Sequence, residues 1–75
     1  MNLNIQFKAC YEKLGLNISY YRKKTKITQE KFSELIGCSS HHLSQIETGD
    51  AAPSLDLLFQ ISHILKISIV DLFSE

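Results

Sequence analysis

The chain has 75 residues, in which 8 Lys and Arg balance 8 Asp and Glu. With 44% hydrophobic and 21% charged residues it suits one small globular domain and not a disordered segment. No apolar run approaches the roughly 18–20 residues of a membrane span, the N-terminus lacks a secretory signal pattern, and the two cysteines, Cys10 and Cys38, are too few for a disulfide scaffold, so a reducing cytoplasm is the expected setting.

Residues 1–10 read in two ways. Leu3, Ile5 and Phe7 alternate with polar residues, as in an extended arm, while Ile5, Ala9 and Glu12 fit helical spacing, as in an extension of the first helix. The domain proper is placed at residues 11–75. From about Tyr11 the stripe Tyr11, Leu14, Ile18 and Tyr21 predicts a first helix, with Gly15 marking a close approach by a neighbour. Lys23, Lys24 and Lys26 near its C-terminus complement the helix dipole.

The stretch Thr28–Gly49 carries the strongest pattern. Thr28 is a good N-cap, Glu30 sits in the first turn, Phe32, Leu35 and Ile36 form an apolar face, and Gly37 fits a helix end that needs positive φ. Ser39 can cap a third helix whose apolar face is Leu43 and Ile46, and Gly49 ends it as Gly37 ended the second. Two short helices joined by so tight a turn predict a helix-turn-helix, whose second helix can lie in the major groove of DNA. Pro53 and Ser54 then open a fourth helix with a core face of Leu55, Leu58, Ile61, Ser62 and Leu65. Ser68-x-x-Asp71 resembles a capping box for a short fifth helix, with Leu72 and Phe73 closing the core. The expected fold is all-α, five helices in one compact domain.

Leu16–Phe73 resembles the phage-repressor/Cro-like (XRE) helix-turn-helix family. The resemblance rests on Arg22, Thr28-Gln29, Gly37, Ile46-Glu47-x-Gly49, Pro53-Ser54-Leu55 and Ile67-Ser68-Ile69-x-x-Leu72-Phe73 in that order. It implies a lambda-repressor-like DNA-binding domain with the helix-turn-helix at helices 2 and 3, acting as a transcriptional regulator, usually a homodimer on a two-fold operator. It also implies base contacts from Ser40, His41, Ser44 and Gln45, phosphate contacts from Gln29 and Thr48, and a buried ion pair between Arg22 and Glu47. Two departures stand out. Asp50 occupies a position commonly basic in relatives and should repel phosphate, and the third helix carries no Arg or Lys, the commonest guanine readers. Ser33 and Ser62 stand where alanine is frequent, and their hydroxyls can bond the i−4 carbonyl.

Residue chemistry supports this assignment while leaving alternatives open. Gln45 suits bidentate reading of adenine, or is an exposed helix glutamine. Residues 1–31 carry seven basic groups against two acidic, giving +5, and residues 32–75 carry −5. That asymmetry suggests a phosphate-facing side on which Lys26 and Lys31 are expected contacts, with His42 facing phosphate or solvent. Arg22–Glu47 can be a surface pair of little worth instead of a buried one. Leu57, Ile64, Ile69, Val70 and Phe73 are a surplus of apolar residues, read as a homodimer surface or as a patch covered by the Leu3–Ile5–Phe7 arm. No metal, cofactor or small-molecule ligand is expected. Cys38, His41 and His42 lack a fourth ligand, Cys38 is read as filling an apolar slot, and no catalytic motif is present. The partner is double-stranded DNA; the second functional reading is a protein-interaction module, such as an antitoxin-like partner, that kept the fold with weak or no DNA binding.

Overall fold

In the computed structural model, which describes residues 7–74, the first helix, α1, runs Lys8–Lys24. It begins earlier than the stripe from Tyr11 suggests, because the Phe7 carbonyl accepts from the N–H groups of Cys10 and Tyr11 at 3.0 and 3.1 Å. Leu3 and Ile5 of the expected arm lie outside the described residues.

Three further α-helices follow: α2 (Gln29–Ile36), α3 (Ser40–Thr48) and α4 (Leu55–Leu65). Each starts at a side-chain cap. Thr28, Ser39 and Ser54 accept from the N–H groups of Lys31, His42 and Leu57, which satisfies one orphan donor apiece. Gly37 and Gly49 end α2 and α3 in the left-handed region, at φ 78° and 82°. Lys66 ends α4 in that same region at φ 57°, a position where glycine would be usual.

The fifth expected helix is not an α-helix. Ile69–Phe73 is a 3-10 helix, so the described residues hold four α-helices and one 3-10 turn. Five residues give too few i→i+4 bonds to hold an α-turn, and short pieces commonly tighten to i→i+3. Its capping box is present: Ser68 N–H donates to Asp71 Oδ2 at 3.0 Å, and Val70 N–H donates to Ser68 Oγ. Asn17 of α1 fastens this end, donating to the carbonyls of Leu72 and Ser74.

α1 packs on α3, on α4 and on the 3-10 turn, and α2 bridges α3 and α4. Leu14, Ile18, Phe32, Ile36, Leu43, Ile46, Leu58, Ile61, Leu65 and Leu72 form the core. Three residues assigned to core faces are exposed instead: Leu35 (39%), Leu55 (62%) and Phe73 (58%). Leu35 sits on the shoulder of α2 beside the face made by Phe32, Ser33 and Ile36. Leu55 opens α4 one turn ahead of Leu58, the first α4 residue in the core. With about three residues per turn, the 3-10 helix that aims Leu72 inward turns Phe73 out. The hydroxyls of Ser33 and Ser62 bond the carbonyls of Glu30 and Phe59, three residues back and not the expected four.

Candidate nucleic-acid interface

α3 is held from behind by main-chain contact. A Cβ on Gly15 of α1 would collide with the carbonyl oxygen of Ile46 and lie 2.6 Å from that of Glu47. Only glycine lets α1 cross the last turn of α3 this closely. Glu12 stands equally close to Gly49, where a Cβ would lie 2.6 Å from its Cγ.

A buried polar cluster fixes the same turn. Arg22 Nε donates to Glu47 Oε2 at 2.7 Å and Nη2 donates to Oε1 at 3.1 Å, while Nη1 donates to the Ile27 carbonyl. Arg22 and Glu47 are 7% and 8% exposed, which places the pair in the interior and not at the surface. The Gln29 amide donates to Glu47 Oε1 at 2.9 Å, joining the start of α2 to the end of α3. Among the described residues no buried side-chain polar atom lacks a partner, as burial of a charged pair requires.

The opposite side of α3 is polar. His41, Ser44, Gln45 and Thr48 follow helical i, i+3, i+4 and i+7 spacing and so share one face, with Ser40 one turn before Ser44. Ser40, His41 and Thr48 are exposed, and Ser44 and Gln45 are half-buried. The side chains of His41, Ser44 and Gln45 make no hydrogen bond to the described residues, so their donors and acceptors are free for a ligand. His42 does not share this face. It lines a cleft with Gly37, Cys38, Leu57 and His63, on the side of α3 toward α4.

The expected phosphate contacts are more scattered. Lys26 is exposed in the α1–α2 loop with φ 63°, and Lys31 is exposed on α2 with only a 4.0 Å approach to Glu34. Lys24 lies over the Tyr20 ring, 5.8 Å from its centroid. The Thr48 hydroxyl is engaged within the chain, its shortest contact being 2.8 Å to Asp50 Oδ2. Asp50 in turn accepts from Lys8 Nζ at 2.7 Å, a partner that sequence reasoning missed because 42 residues separate the two. Hydrogen bonds from Lys8 and then Thr48, with the Lys8 charge, hold the Asp50 carboxyl below the usual carboxylate range.

The five apolar residues expected to form one patch are divided. Leu57, Ile64 and Ile69 pack partly against the core, whereas Val70 (68%) and Phe73 (58%) are exposed. Leu57 and Phe73 also line separate clefts, Phe73 with Ala9, Cys10, Lys13 and Leu14 of α1. Leu16 and Tyr20 add exposed apolar surface on α1 that the sequence pattern assigned to no surface. Cys38 packs partly against the core, and burial pushes its thiol up, away from the reactive thiolate. No group of three or more His, Cys, Asp or Glu among the described residues is arranged to hold a metal ion. No helix among them is long and apolar enough to cross a membrane.

Residues 18–72 match the model of the helix-turn-helix family. Antitoxin PezA of Streptococcus pneumoniae is 34% identical over 62 residues, which cover 83% of this chain; the chain spans 39% of that antitoxin's length. An uncharacterized HTH-type transcriptional regulator of Methanocaldococcus jannaschii is 36% identical over 56 residues, covering 75% of this chain and 85% of the relative. Among solved structures, the restriction-modification controller protein C.AhdI of Aeromonas hydrophila superposes with a TM-score of 0.83 at 25% identity, over 87% of this chain and 98% of that one.

Proposed function

The chain belongs to the XRE-type helix-turn-helix family, and from that premise we propose that it is a sequence-specific DNA-binding transcriptional regulator. It acts as a repressor or autoregulator in the cytoplasm, occupying an operator as a homodimer, with α3 in the major groove. The observation that carries this reading is the polar face of α3. His41, Ser44 and Gln45 present hydrogen-bonding groups unpaired among the described residues, on a helix whose other side is locked to α1 and α2. Gln45 and Ser44 read base edges, with Ser40 and His41 at the first turn. Gln29, Lys26, Lys31 and Thr48 contact phosphate, and His42 approaches the backbone from the α4 side. Val70 and Phe73 form the centre of the dimer surface, flanked by Leu57, Ile64 and Ile69.

A second reading has specific support. Asp50 beside the end of α3, a net charge of zero and the likeness to an antitoxin fit a domain that binds a protein partner and holds DNA weakly. Titration of the chain with its own upstream DNA across salt concentrations separates the two. Preference for that sequence with a steep salt slope is expected of the regulator; equal binding to random duplex even at low salt refutes it.

A further inference from the structure

α3 contains no Lys or Arg, and Asp50-Ala51-Ala52, the segment that leaves it, adds none. Positive charge reaches this end of the helix from elsewhere in the chain. Lys8, in the first turn of α1, donates from Nζ to the Gly49 carbonyl at 2.8 Å and to Asp50 Oδ1 at 2.7 Å. Thr48 Oγ1 lies 2.8 Å from the other carboxylate oxygen, Oδ2. The Asp50 N–H donates to the Gln45 carbonyl at 2.8 Å, which seats this carboxylate beside the turn that carries Gln45.

One ammonium and one hydroxyl therefore converge on the two oxygens of a single anion. A phosphodiester presents the same charge and two acceptor oxygens to such donors. The clasp is at the surface, with Lys8 and Asp50 side chains 41% and 61% exposed, so it can open without unpacking the core. Exposed pairs of this kind are weak and yield to a competing anion.

We propose that Lys8 Nζ and Thr48 Oγ1 form a phosphate-binding site, that Asp50 occupies it in the free protein, and that a backbone phosphate of bound DNA displaces Asp50. The identity of the ligand rests on the DNA-binding reading; the anion site itself does not. Asp50 is then an internal competitor, and Lys8 supplies the ammonium that α3 and its exit segment, without Lys or Arg, lack.

The test compares wild type, Asp50→Asn, Lys8→Met and the double variant, titrated with the upstream duplex at several salt concentrations. Asp50→Asn is expected to tighten binding about three- to tenfold and to steepen the log K against log salt slope by up to about 0.9, the share of one phosphate. Lys8→Met is expected to weaken binding and to abolish the gain in the double variant. No gain from Asp50→Asn, or a gain that survives Lys8→Met, overturns the proposal. Inorganic phosphate provides an arm independent of DNA, followed by NMR on the Asp50→Asn protein. Saturable shifts of the Lys8 side chain and Thr48, larger than in wild type, are expected, and their absence overturns the site. If wild type binds no duplex, the DNA-binding reading fails while the phosphate titration still decides the site.

Discussion

At the scale of single residues, Arg22 is a fully committed side chain. All three of its guanidinium nitrogens are bonded, two to Glu47 and one to the Ile27 carbonyl. Arg22→Ala leaves Glu47 buried beside a single remaining side-chain donor, Gln29, and is expected to cost about 3–5 kcal/mol. Thermal denaturation should show this as a fall in Tm of more than about 10 °C for a domain this small. Unchanged melting would contradict a structural role for the pair. Gln45 and Gln29 differ in the opposite sense. The Gln45 amide makes no hydrogen bond among the described residues, and on the proposed function Gln45→Ala should lose about 1–3 kcal/mol of preference at one base position per half-site. The Gln29 amide is tied to Glu47, and Gln29→Ala should weaken binding to all sequences alike. Binding measured on a panel of single-base operator variants distinguishes the two; equal losses on every variant for both proteins would refute the division of roles.

At the scale of elements, helix ends decide how the chain is cut. Lys66 holds the left-handed C-cap of α4 with a side chain that disfavours it. Lys66→Gly is therefore expected to stabilise the fold by about 0.5–1 kcal/mol, read as a higher urea midpoint with unchanged m. A lower midpoint would mean that the lysine side chain holds something the cap does not explain. The ends marked by local chemistry were legible: Thr28, Ser39 and Ser54 as caps and Gly37 and Gly49 as stops act within three or four residues of themselves. Lys66 carries no turn signature, so its role was not. Leu35 and Leu55 fit the three- and four-residue spacing of their stripes, yet spacing alone does not say how wide the buried sector is or how far the core extends along a helix. The polar face of α3 was readable by the same periodicity that buries Leu43 and Ile46. The Lys8 contact was not, because it joins the two ends of a long chain closure and follows no spacing.

At the scale of the molecule, charge and apolar surface set how copies and partners meet. A chain of zero formal charge whose α3 has no Lys or Arg gains little from one domain on DNA, so the proposed homodimer would be a source of affinity. Val70 and Phe73 are three apart on a 3-10 helix, so they stack on one side and offer the most exposed apolar pair at the C-terminal end. Phe73→Lys is expected to shift sedimentation at micromolar concentration from dimer to monomer while leaving Tm of the isolated domain nearly unchanged, since the side chain already faces solvent. A wild-type protein that sediments as a monomer at that concentration would remove the homodimer.

The absence of a side chain at Gly15 has a consequence for how such a domain can change over time. The pose of α3 is set by backbone against backbone and by Arg22, Glu47 and Gln29, none of which lies on its outward face. The side chains of His41, Ser44 and Gln45 make no hydrogen bond among the described residues. On the proposed function, the target would be written on a surface separable from its frame, and replacing His41, Ser44 and Gln45 is expected to exchange one target sequence for another without rebuilding the scaffold.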